Sequence, residues 1–353
     1  MDEIIRYVVI IIIIVVVLVV IKLIGAAKRE RKNYERGLKM VSMLIHLPPS
    51  TDDIEVGGRD ERDVVGEALS EAQVMYNIIS STTTKGFKTK TYGQRHMSFE
   101  IVAHDGLIKY YAVVPAVLTE TIRQAVTAAY PTARLEEVED VNMFSEEGGI
   151  EGTVGGELTL KEDYWNTIAT YEETKRDASL ALLNAMSVAK KGDGVALQIL
   201  FRPADDGWIK KSLERVQNMR SGKKTHKIGE SILSRGAQGA ANLLADLAEA
   251  LWRPPEMREK SESQEKILTN LEQEEIRNIE EKTKYPGFET LIRVVASAQN
   301  KARAEMLLGG VVTIFSQFDA PQKNGFRYDA LKDIEKLSTD YMMRFFPQNV
   351  SSN

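Results

Sequence analysis

Few residues in this chain have both the type and the spacing for chemistry. A phosphate-cradling loop needs Gly-x-x-x-x-Gly-Lys-Ser/Thr, because glycine backbone wraps the phosphates, the lysine reaches them and the hydroxyl holds magnesium. The nearest approach is Ser221-Gly222-Lys223-Lys224-Thr225, where Gln217 occupies the first glycine's place and Lys224 the hydroxyl's. It reads as a basic surface turn. Gly192-Asp193-Gly194 precedes an apolar strand pattern, whereas a dinucleotide fingerprint follows a strand and opens a helix. His96 and His104 bracket one strand pattern, too far apart to share a metal, and read as exposed strand-end histidines. Glu136, Glu137, Glu139 and Asp140 form a run rather than two carboxylates across a cleft, so they suggest no general acid and base. Lys210 to Lys227 holds seven Lys/Arg against Glu214. Lys210, Lys211, Lys223 and Lys224 are therefore candidates for phosphate or lipid-headgroup contact, although no interleaved aromatics make a base-stacking platform and a solvated face explains them equally.

Composition narrows the classes further. The absence of cysteine excludes a disulfide framework, a thiolate metal site and a cysteine nucleophile, and four histidines leave little for imidazole ligation. No cofactor is expected. A length of 353 residues at 43% apolar content suffices for a sizeable core and about two domains. The net charge of −5 conceals a basic N-terminus, since residues 1–39 carry eight Lys/Arg against four Asp/Glu. The remaining acidic body argues against a duplex-coating protein and leaves other nucleic-acid contact open.

The elements that must position these residues begin with an uncharged run from Tyr7 through Ile14 to Ile21. If Arg6 and Lys22 snorkel, the apolar stretch is long enough for a spanning helix, which predicts a single-pass anchor over residues 1–27; a cleaved signal peptide is the competing reading. Six basic residues at positions 28–39 then place the body in the cytoplasm and the N-terminus outside the plasma membrane. Residues 28–61, with Pro48-Pro49 and Gly57-Gly58, read as a basic juxtamembrane segment and linker. From Asp63 to Ser80 apolar residues recur at helical spacing. Met97–Ala103 and Leu107–Val114 flank Asp105-Gly106, a two-residue hairpin turn. A helix from Leu118 to Ala129 and a strand over Leu135–Val141 follow. Helix, hairpin, helix and strand predict a ferredoxin-like α+β sandwich over residues 62–150.

A second α+β region is predicted over 151–346, since Asp193-Gly194 to Pro203-Ala204 echoes Asp105-Gly106 to Pro115-Ala116. Duplication and chance both fit that echo. Residues 220–286 read as a helical insertion whose stripe includes Ile232, Leu244, Leu247 and Leu251, the candidate partner-docking residues. The expected architecture is a transmembrane helix followed by two ferredoxin-like sandwiches, the second carrying the insertion.

Several segments together resemble a known family: Leu47-Pro48-Pro49, His96 to Val102, Lys109 to Pro115, Ala129-Tyr130-Pro131, Glu136 to Asp140, Thr170-Tyr171-Glu172, and Val195 to Pro203 followed by Trp208. They resemble the uncharacterised N-terminal region that precedes DNA-translocating ATPases of the type IV secretion coupling-protein class. The motifs are structural, and this chain carries no motor or nucleotide loop after them. The resemblance implies a membrane-anchored, non-catalytic docking module of a secretion, conjugation or pilus-like machine, recruiting a separate ATPase or another subunit, with self-association also open. A generic membrane-tethered scaffold is the alternative, and an enzyme with a site assembled from scattered residues is a third reading.

Overall fold

The computed structural model describes residues 2–46, 61–170, 178–222, 268–320 and 323–347. Its first half runs β1 (Met40–His46), α2 (Glu61–Ser80), β2 (Met97–His104), β3 (Leu107–Pro115), α4 (Thr119–Ala129) and β4 (Arg134–Val138). Helix α1 (Asp2–Gly37) precedes β1, and a short α3 (Phe87–Tyr92) precedes β2. The second half runs β5 (Thr153–Leu160), α5 (Ala178–Met186), β6 (Gly194–Pro203), β7 (Phe288–Ser297), α8 (Lys301–Ile314) and β8 (Phe326–Ala330). Between β6 and β7 lie α6 (Gly207–Arg220) and α7 (Asn270–Lys282), and α9 (Ile334–Met342) closes the series.

All eight strands form one sheet in the order β4-β1-β3-β2-β6-β7-β5-β8, and every neighbouring pair is antiparallel. The order within each half mirrors the other about the β2–β6 seam. This corrects the expectation of two separate sandwiches. β2 pairs with β6 from Met97↔Phe201 to His104↔Gly194, so the two edges that would have bounded separate sheets satisfy each other's backbone groups. The cores mix as well. Phe201 of β6 packs with the first-half helices, while Ile101 and Ala103 of β2 pack with the second-half helices.

Strand alternation explains the layers. Met97, Phe99, Ile101 and Ala103 face the apolar layer that holds α2, α4, α5 and α8, whereas Ser98, Glu100 and Val102 face the opposite side. That opposite side is covered by α9 and the segment around Met143 and Phe144. The Asp105-Gly106 turn forms as expected, both residues having positive φ (51° and 78°), a conformation that Asp tolerates and Gly favours. The sequence echo, however, matches β3 to β6, while the mirrored order makes β6 the counterpart of β2.

Among the described residues no helix is long and apolar enough to cross a membrane, which corrects the expected anchor over residues 1–27. The uncharged run on α1, Tyr7 to Ile21, is bounded by Arg6 and Lys22. Those fifteen residues rise about 22 Å against a hydrocarbon thickness of ~30 Å. Nor is the basic segment that follows a linker. α1 continues to Gly37 and β1 begins at Met40, placed between β3 and β4. The end of α1 sits against the last described turn, where a Cβ on Gly37 would lie 2.1 Å from the Met343 carbonyl oxygen.

Candidate functional site

Six polar side chains on the sheet's second face form one cross-strand row. Tyr111, Glu100, Gln198, Arg293, Glu157 and Asp329 are successive register partners from β3 to β8. Arg293, 1% exposed, donates to Gln198 Oε1 at 2.8 Å and Glu157 Oε1 at 2.9 Å. Gln198 Nε2 donates to Glu100 Oε1 at 3.0 Å. Arg344 closes the row from above, donating to Glu100 Oε1 at 3.0 Å and Asp140 Oδ2 at 2.7 Å. Burial opposes the Arg344 charge, but Glu100 and Asp140 outweigh it and hold its pKa above the ordinary value.

The same row captures the backbone of the last described turn, residues 340–346. Arg293 donates to the carbonyls of Asp340 and Phe345, Gln198 to that of Tyr341, and Asn33 of α1 to that of Phe346. His96 Nε2–H donates to the Arg344 carbonyl at 2.7 Å. These groups face one another with few open valences, so the row is suited to holding the last turn rather than turning over a substrate.

His96 is not the exposed strand-end residue expected. It is 1% exposed and stacked on Phe346 with ring centroids 5.5 Å apart. Burial, followed by the cations Arg36, Arg202 and Arg293, depresses its pKa to about 3 despite the Arg344 carbonyl, so the ring is neutral near pH 7. Its Nδ1 has no hydrogen-bond partner among the described residues. The carboxylate run disperses: Glu136 pairs with His46 at 2.8 Å, Glu137 with Arg123 at 3.3 Å, and Asp140 with Arg344.

His96 also lies in the floor of a groove of about 1180 Å³. One wall is the last turns of α1 with Lys39 and Met40, the other is Thr84 to Arg95, and Pro115 to Val117 closes a side. Among the described residues the lining carries eight Lys and Arg side chains and one carboxylate, Glu35. Glu35 is engaged by Lys32 at 2.8 Å and Arg31 at 3.6 Å. Arg36 donates to the carbonyls of Tyr92, Gly93 and Gln94 at 2.9 to 3.1 Å, tying the two walls together. Sequence reading gives the basic residues at 28–39 a topology role, with contact to anionic lipid headgroups as a second reading, but does not single out Lys85, Lys88 and Arg95, which only the folded chain brings to the same groove.

Residues Asp206–Tyr285 form a second compact unit. A capping box starts α7, with Glu272 N–H donating to Thr269 Oγ1 and Thr269 N–H donating to Glu272 Oε2. Arg215 pairs with Glu275 at 3.8 Å and Arg220 with Glu280 at 2.7 Å, joining α6 to α7. Lys210 and Lys211 project from α6 as exposed residues, Lys210 lying 4.0 Å from Glu214. Lys223 and Lys224 lie outside the described residues, as do the docking candidates Ile232, Leu244, Leu247 and Leu251. Of the anchor residues, the side chains of Tyr7 and Ile14 also lie outside them, and Ile21 is exposed.

A family model described as a domain of unknown function, DUF8128, matches residues 26–345. No curated protein and no solved structure matches the chain.

Proposed function

This chain belongs to the DUF8128 family, and from that premise we propose that it is a non-catalytic assembly module that docks a partner through the unit inserted between β6 and β7. The observation that carries this reading is the completeness of the hairpin the unit interrupts. β6 and β7 stay in register from Gly194↔Ser297 to Pro203↔Phe288, and Ala204 N–H donates to the Gly287 carbonyl at 2.9 Å. A two-residue turn would close such a ladder. The inserted residues are therefore not needed for strand pairing, and elaborations of that kind carry interaction surfaces. The resemblance to regions ahead of coupling-protein motors favours a separate ATPase of a secretion, conjugation or pilus-like machine as the partner.

The test replaces residues 205–286 by Asn-Gly and compares both proteins in cross-linked affinity capture from the source cells. The intact chain should recover a motor ATPase, and the closed-hairpin variant should lose it while melting as one folded protein. Equal recovery by both proteins, or no ATPase with the intact chain, overturns the assignment. ATP turnover by the purified chain would overturn its non-catalytic part.

A further inference from the structure

We propose that the groove between the end of α1 and the 84–95 segment is a binding site for a multiply phosphorylated organic anion, either free in solution or displayed as a lipid headgroup. The argument starts from charge. Five of the eight cations, Lys28, Lys39, Lys85, Lys88 and Arg95, have no ion-pair partner among the described residues, and they stand on both walls. Like charges gathered around one concavity repel each other unless a counter-charge arrives, and low-dielectric walls focus that potential onto the space between them. Arg36 registers the imbalance: burial and then the neighbouring cations Arg202 and Arg95 lower its pKa from the ordinary value. His96 on the floor is neutral near pH 7 and adds no charge of either sign.

The choice of phosphate rests on the kind and placement of the cations. Four of the five free cations are lysines, compact ammonium charges on flexible stems that suit phosphate oxygens without fixed bidentate geometry. At about 1180 Å³ the groove exceeds the volume of one phosphate and the usual range for small-ligand pockets, so several phosphates can be met at once. Leu38 and Val117 in the lining are 75% and 69% exposed, which gives an organic scaffold carbon to rest against while its phosphates meet ammonium groups. A single-stranded nucleic acid fits less well. Among the described residues Tyr92 is the one aromatic ring lining the groove apart from the buried His96, whereas strand binding relies on successive stacking rings.

Calorimetric titration of the full chain tests this with inositol hexakisphosphate, and flotation tests it with phosphatidylcholine vesicles with or without phosphatidylinositol bisphosphate. Saturable binding to the soluble probe, or binding only to the phosphoinositide vesicles, is expected; the two results assign the free and headgroup sources respectively. Binding should weaken as salt is raised. The double substitution Lys85→Glu with Lys88→Glu, both on the exposed surface, should reduce affinity about tenfold or more with an unchanged melting temperature. Lys210→Glu with Lys211→Glu, on the inserted unit, should leave it unaltered. Failure of both probes at low salt, equal binding by the Lys85/Lys88 variant, or tighter binding of a single-stranded oligonucleotide overturns the proposal.

Discussion

His96 links the pH of the medium to the stability of the fold. Its pKa in the folded chain is about 3, against an ordinary 6.5. Between those values the unfolded chain binds the proton that the folded chain refuses. The stabilisation is complete above about pH 6.5 and declines by about 1.4 kcal/mol per unit as pH falls toward 3. Urea unfolding from pH 7 to pH 4 should show this slope, and His96→Gln should flatten it. A second residue prediction concerns Arg344, which holds a left-handed φ of 48°. Arg344→Gly relieves a backbone cost of about 1–2 kcal/mol. It also strands Glu100, 3% exposed, without its cation. The net loss should be about 2–4 kcal/mol, and adding Glu100→Gln should recover part of it in a double-mutant cycle. Neither residue was legible in the sequence. Arg344 lies 248 positions from His96, and the cover that buries the histidine arrives only with the last turn of the fold.

At the scale of elements, what could be read locally formed locally. The Asp105-Gly106 turn dictates its own conformation and sets the β2–β3 register, and the helix from Leu118 declares itself by spacing. β1 was read as part of a linker because Met40–His46 is short and precedes the Pro48-Pro49 pair. Its place between β3 and β4 depends on partners more than sixty residues away. β8 was missed for a related reason, being a five-residue edge strand whose Arg327 and Asp329 dilute any apolar alternation. The start of β6 supplies a test of element packing. A Cβ on Gly194 would lie 1.8 Å from the Met143 carbonyl oxygen, so Gly194→Ala must displace backbone. It should cost about 1–3 kcal/mol in chemical denaturation. A smaller loss would show that the 143 segment yields easily.

For the molecule as a whole, the seam decides cooperativity. Because β2 and β6 share a ladder and a core, the two halves should open together. Native-state hydrogen exchange checks this: amides of β3 and β7 should report the same opening free energy and denaturant dependence, whereas independent halves would give two values. The seam was hidden from sequence reading because either strand edge could have paired with solvent, with a copy of itself or with the other half. The charged row that crosses the seam also has a consequence for biosynthesis. Glu100, Gln198 and Arg293 are made early, yet Arg344 and the carbonyls that complete their bonding come from residues 340–346. A chain emerging from the ribosome therefore carries half-solvated charges across its nascent sheet until that segment clears the exit tunnel. Closure of this fold thus waits for residues 340–346, however early the sheet itself pairs.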